Sequence, residues 1–142
     1  MEAIELSPQT ALYHYQLGEL IDLYETELLL NDIGHGLSLD RQKVAAFRQA
    51  SQLEQDNKDF AWRYAQVFHD TLIPNAKEAF LAWKTLEDTA STPSEKDAIA
   101  LHQAHWLLEL RENKQAQELL STIQTPSLQT TRDQLWRQIH LI

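Results

Sequence analysis

The chain has 142 residues and a formal net charge of −9, with no cysteine, so disulfides and thiolate metal sites are excluded. Its length suits one domain burying about 70% of the surface of the unfolded chain. Residues 1–40 hold eight acids and no lysine or arginine, whereas twelve basic and thirteen acidic residues follow from Arg41 onward. That anionic balance, with no basic stripe, argues against nucleic acid. No apolar run approaches the roughly 20 residues needed to cross a bilayer, and MEAIELSPQT lacks the basic and apolar regions of a secretory signal. The expectation is a cytoplasmic protein with no membrane partner.

Ser7-Pro8 reads as a helix start, serine as N-cap and proline at the first helical position. The helix reaches about Leu30 and carries Tyr13, Leu17, Leu20, Ile21, Tyr24 and Leu28 on one face. The stretch NDIGHGLSLD, 31–40, then reads as a turn-rich loop whose two glycines take left-handed conformations, or which forms a lip presenting His35. A second helix covers about Asp40 to Glu54, with Val44, Phe47, Ala50 and Leu53 inward.

The segment from Asp59 to Glu87 reads as two short helices around a turn at Ile73-Pro74-Asn75, proline at the start of the second. Phe60, Ala61, Tyr64, Ala65 and Phe68 line one helix; Ala76, Ala79, Phe80, Trp83 and Leu86 line the other. Ser94 and Asp97 predict a capping box for a fifth helix, about Glu95 to Arg111, with Ile99, Leu101, Ala104, Trp106, Leu107 and Leu108. Asn113 marks a turn, and a sixth helix carries Ala116, Leu119, Leu120 and Ile123. Pro126 ends it, and Thr131 opens a last helix with Leu135, Trp136, Ile139 and Ile142. Strand-like alternation is absent, so the fold class is all-α.

One pattern recurs: Ala46-x3-Ala50-x2-Leu53, Ala79-x3-Trp83-x2-Leu86 and Ala116-x3-Leu120-x2-Ile123, spaced 33 and 37 residues apart. Upstream of each copy a helix carries one small residue in its apolar stripe, Gly18, Ala65 or Ala104, which permits close helix approach and stacking of hairpins. The pattern resembles the tetratricopeptide repeat (TPR), with Leu17-Gly18 after His14 in the first copy, Trp62 and Ala65 in the second, and Leu101, Ala104 and Leu108 in the third. The departures are His14 for the usual aromatic, Ile21 for tyrosine, and no closing proline after the first copy. The resemblance implies a TPR-like α-solenoid, a right-handed stack of about three antiparallel hairpins in one domain. The repeats would span 8–55, 58–88 and 94–125, with a C-terminal capping helix at 130–142.

Arrays of this kind bind peptides or partner helices along a concave face. With His14, Trp62 and Leu101 equivalent, the next residues, Tyr15, Arg63 and His102, line that face. Asp22, Asp70 and Glu109 stand eight residues on from the equivalent positions. With Glu19 beside them these acids would form a column suited to a lysine, an arginine or a free amine on a protein or peptide, with Tyr15 and Trp106 as apolar anchors. The expected function is a non-catalytic interaction or scaffold module, using no cofactor or metal. The other three tryptophans, Trp62, Trp83 and Trp136, are expected in the core.

An enzyme reading from a different class rests on His35, His69-Asp70 and Asp133, which resemble in order the ligands of HD-type metal-dependent phosphohydrolases. Against it, Thr71-Leu72-Ile73 stands where that family has an apolar residue, glycine and lysine. His102, His105 and Glu109, at i, i+3 and i+7, are a second metal option. At the C-terminus, Leu141 and Ile142 either pack back onto the sixth helix or form a self-association patch.

Overall fold

The computed structural model describes the backbone over residues 8–28 and 33–140 and side chains over 10–24 and 39–139. The expectations for Ser7, Leu28 to Asp32, the His35 side chain, Leu141 and Ile142 lie outside the described residues. Within them the chain is all-helical, with no strand. Seven α-helices are described: α1 Pro8–Leu28, α2 Ile33–Leu53, α3 Lys58–Val67, α4 Ala76–Lys84, α5 Pro93–Glu109, α6 Asn113–Leu120 and α7 Gln129–His140. Short 3-10 turns extend α3 through Phe68–Asp70 and follow α4 at Glu87–Thr89, and another, Pro126–Leu128, precedes α7. No described helix is long and apolar enough to cross a membrane.

The contacts divide the chain into two compact units, Met1–Pro74 and Asn75–Ile142. The second expected hairpin, 58–88, has its first helix in one unit and its second in the other. In the first unit, α1 and α2 pair antiparallel. Ala11 clusters with Ala50, Gly18 backs onto Phe47, and Asp22 meets Lys43. Gly18 sets the spacing, because a Cβ there would come within 2.7 Å of the buried Phe47 ring. Phe60 of α3 closes this core.

The second unit is built on α5. Its Leu101, Ala104 and Leu107 pack with Ala116, Leu120 and Ile123 of the α6 segment and Leu135 of α7. The α5–α6 turn is a Schellman closure: Glu112 N–H donates to the Leu107 carbonyl at 2.8 Å and Arg111 N–H to the Leu108 carbonyl at 3.0 Å. Arg111 occupies the left-handed position usually given to glycine, with φ 62°.

Several local expectations are corrected. Residues 33–40 are the first two turns of α2 rather than a loop. No described glycine has positive φ, and Gly34 and Gly36 lie within α2, so the left-handed turn is not present there. Asn75, one residue later than the expected proline start, caps α4 by accepting from Glu78 N–H. Thr92, not Ser94, caps α5 by accepting from Glu95 N–H, with Pro93 at the first turn. Asp97 is thereby free for a longer-range task, accepting from the backbone N–H groups of Gln124 and Thr125 and from the Thr125 hydroxyl at 2.6 Å. Leu53 is exposed, whereas the other eight residues of the threefold repeat are buried. On α1, Ile21 is buried but Tyr13, Leu20 and Tyr24 are exposed. The buried side instead runs through Thr10, Ala11, Gly18 and Ile21, displaced around the helix from the expected stripe.

Candidate functional site

Five of the eight expected site residues converge in the first unit. Tyr15, Glu19 and Asp22 lie at i, i+4 and i+7 on α1, which puts them on one side of the helix. Arg63 of α3 reaches across to that side. Its Nε donates to Glu19 Oε1 at 3.0 Å, and its Nη2 lies 3.3 Å from Asp22 Oδ2. Its Nη1 lies 3.7 Å from Asp70 Oδ2, in the 3-10 turn that ends α3. The guanidinium also sits 4.4 Å from the centre of the Phe47 ring, a weakly hydrated planar cation on an aromatic face.

The network continues inward. Asp22 Oδ1 accepts from Lys43 Nζ at 3.1 Å, so one carboxylate joins two cations. Lys43 is 1% exposed and lies 3.8 Å from Asp40 Oδ1. Asp40 Oδ2 in turn accepts from Leu72 N–H at 2.7 Å, holding the segment after α3 against α2. A lysine so deeply buried needs its carboxylate neighbours, because an unpaired charge there costs several kcal/mol, of order 3–5 when one partner is removed.

Tyr15 forms the apolar edge of this site, stacked on Phe60 at 4.8 Å and edge-on to Phe47 at 5.7 Å. Burial, the Glu19 charge and a hydrogen bond to Glu19 raise the Tyr15 pKa, against the opposing effect of Arg63. The phenol therefore stays protonated at neutral pH and acts as a donor. The acids at these positions are thus partly compensated within the unit: four carboxylates, Glu19, Asp22, Asp40 and Asp70, share two cations, Arg63 and Lys43.

His102, Trp106 and Glu109 lie on α5 in the second unit. His102 stacks flat on Trp83 at 4.0 Å with the ring planes 7° apart. Trp106, expected at a groove edge, is 2% exposed and belongs to the interior. Glu109 is exposed. His105 meets Trp106 edge-on at 4.7 Å, and burial holds its pKa below the ordinary value, with Glu109 pulling the other way. Among the described residues no group of three or more histidine, aspartate or glutamate side chains is placed to hold a metal ion. Asp133, one of the residues in the hydrolase alternative, pairs with Arg132 at 2.9 Å. A cavity of about 570 Å³ in the second unit is lined by Glu87, Asp88, Asp97, Ile99, Gln103 and Leu119, among others. Gln103 at its wall donates to Glu87 at 2.6 Å.

Sequence reasoning missed Asp40, Lys43 and Phe47 as members of the first site. A signal was present: Lys43, Ala46, Phe47 and Ala50 share one helical register, so a lysine stands in an otherwise apolar stripe and demands anionic partners. No protein-family model, curated protein or solved structure matches this chain.

Proposed function

We propose that this chain is a non-catalytic protein-interaction module of TPR-like stacked hairpins, with a cytoplasmic setting. In this reading the acidic face around Arg63 receives a lysine, an arginine or a free amine from a partner protein or peptide. One observation carries it: four carboxylates share two cations, so the cluster keeps an excess of negative charge beside the Tyr15 ring. Asp70, half exposed and at 3.7 Å the loosest of Arg63's partners, is the carboxylate a second cation would engage first. The hairpin reading draws support from the antiparallel α1–α2 pair spaced by Gly18 and from the buried alanines Ala46, Ala79 and Ala116.

The test is a displayed peptide library panned against the wild type and against the double variant Glu19→Gln/Asp70→Asn, with circular dichroism verifying the fold. The wild type is expected to enrich peptides bearing lysine, arginine or an N-terminal amine. Two exposed ion pairs at about 0.2–1 kcal/mol each predict roughly 2- to 30-fold weaker binding by the variant. Binding should also weaken with salt. Equal enrichment of the same peptides by both proteins would overturn the reading.

A further inference from the structure

We infer that the second unit binds a small organic cation, N–H donors on an apolar body, in the cavity that α5 lines with the turn after α4 and the end of α6. The inference does not depend on the Arg63 reading, because every residue lining this cavity falls within Asn75–Ile142. At about 570 Å³ the cavity lies within the roughly 300–1,000 Å³ of small-molecule sites. Lys96, Ile99, Ala100 and Gln103 stand at i, i+3, i+4 and i+7, so one side of α5 forms its wall. Ile99 is buried, and Ala100 and Leu119 are half-buried, which makes the body of the cavity apolar. Its exposed rim carries Glu87 and Asp88 from the turn after α4.

Gln103 carries the inference. It is 2% exposed, and its Nε2 donates to Glu87 Oε1 at 2.6 Å. A carboxylate only accepts, so the amide nitrogen must be the end that meets it. The amide oxygen then receives no hydrogen bond from any described residue. A buried acceptor left without a donor is costly, and Gln103 lines the cavity, so a ligand N–H there supplies what the fold does not.

The remaining polar groups fix the charge of that donor. Asp97 is already held by the Thr125 hydroxyl and the Gln124 and Thr125 N–H groups, and Lys96 beside it favours its charged form. Among the described residues neither Glu87 nor Asp88 pairs with a cation. Two carboxylates and an amide oxygen suit a cation with several N–H donors and repel an anion. No described group of three acids or histidines is placed to hold a metal ion, which would also leave the apolar wall unused. Seven residues along α5 put Lys96 about 10 Å from Gln103, and the positive N-terminal turn of the helix lies at that far end too. The ligand's nitrogen therefore belongs beside Glu87 and Gln103, with its apolar body along Ile99, Ala100 and Leu119.

The probe is 4-phenylbutylamine, cationic at pH 7 as lysine is, titrated into the isotopically labelled full chain and followed by amide NMR shifts. The neutral match is 4-phenylbutanol, and butylamine keeps the charge without the ring. The arylalkylamine should bind with a Kd below about 1 mM, at least about tenfold more tightly than either control. Shifts should centre on Glu87, Ile99, Ala100 and the Gln103 side-chain amide. Glu87→Gln/Asp88→Asn, at exposed positions, keeps an acceptor for Gln103 Nε2 and should weaken amine binding at least about tenfold. Gln103→Met, of similar volume, should weaken it at least about threefold; if that variant does not fold, the exposed pair still decides. Equal binding of the arylalkylamine and either control, no binding up to about 10 mM, or unaffected binding in a folded variant would overturn the inference. So would shifts confined to the residues around Arg63, or loss of binding in Glu19→Gln/Asp70→Asn, and both of those outcomes leave the Arg63 reading in place.

Discussion

Gly18 and Phe47 show how one missing methyl governs the first unit. In most helix interiors glycine to alanine is favourable by up to about 1 kcal/mol. At Gly18 the added Cβ would meet three atoms of the Phe47 ring at 2.7–2.8 Å. That ring cannot swing aside readily, because it is fully buried between Tyr15 and the Arg63 guanidinium. The steric term therefore wins, and Gly18→Ala should destabilise the protein by about 1–3 kcal/mol, measured as a lower urea midpoint with unchanged slope. A gain in stability would mean that α1 and α2 move apart at little cost. Gly18 was legible in the sequence as a small residue within an apolar stripe. Its partner Phe47, and the partners Glu19 and Asp22 of Arg63, lie about 29 to 44 residues away in the chain, and no local period encodes that pairing.

At the level of the helices, periodicity located nearly every element, because an amphipathic helix announces itself when polar and apolar residues alternate at 3.6. It failed to orient α1, where Leu12, Tyr13, Leu17, Leu20, Ile21, Leu23 and Tyr24 leave little polar contrast around the helix. Burial there is decided by small residues, Ala11 and Gly18, which let α2 approach. The turn expected at 31–40 failed for another reason. Two glycines cost a helix only about 1 kcal/mol each, a penalty that the packing of a 21-residue α2 through Ala46, Phe47 and Ala50 overrides. Cap positions shifted by one or two residues because several of Ser91, Thr92, Ser94 and Asn75 have side chains able to cap, and only the backbone chooses among them. Tyr15, Glu19, Asp22, Arg63 and Asp70, which the sequence grouped by their spacing along two helices, do meet in one cluster around Arg63.

For the whole molecule, the uneven charge was plain from the sequence, whereas the division at Pro74 and Asn75 was not, since the repeat pattern runs through it. Acid should act on the second unit in two stages. Burial lowers the His105 pKa in the folded state, so the unfolded chain binds its proton more readily. The stability contributed by neutral His105 is complete above its ordinary value of 6.5 and is lost as pH falls below it. Burial tends to raise the Asp97 pKa, but the Thr125 hydroxyl and the Gln124 and Thr125 N–H groups outweigh it, leaving a net depression from 3.8. That contribution is present above 3.8 and fades below it. The urea midpoint should therefore drop between about pH 7.5 and 5.5, and His105→Gln should flatten that drop. A His105→Gln profile parallel to the wild type would exclude His105 as its source.

The Arg111 turn has a use in such experiments. An L-residue in the left-handed region costs about 1–2 kcal/mol, part of which glycine returns through its freer unfolded state. Arg111→Gly should thus raise stability by roughly 0.5–1 kcal/mol in a denaturant titration. No gain would mean that contacts of the arginine side chain offset the backbone cost. With that gain, the substitution becomes a second-site suppressor. It supplies a background in which damaging changes elsewhere in Asn75–Ile142 can be carried by a folded protein, so that a lost activity is told apart from a lost fold.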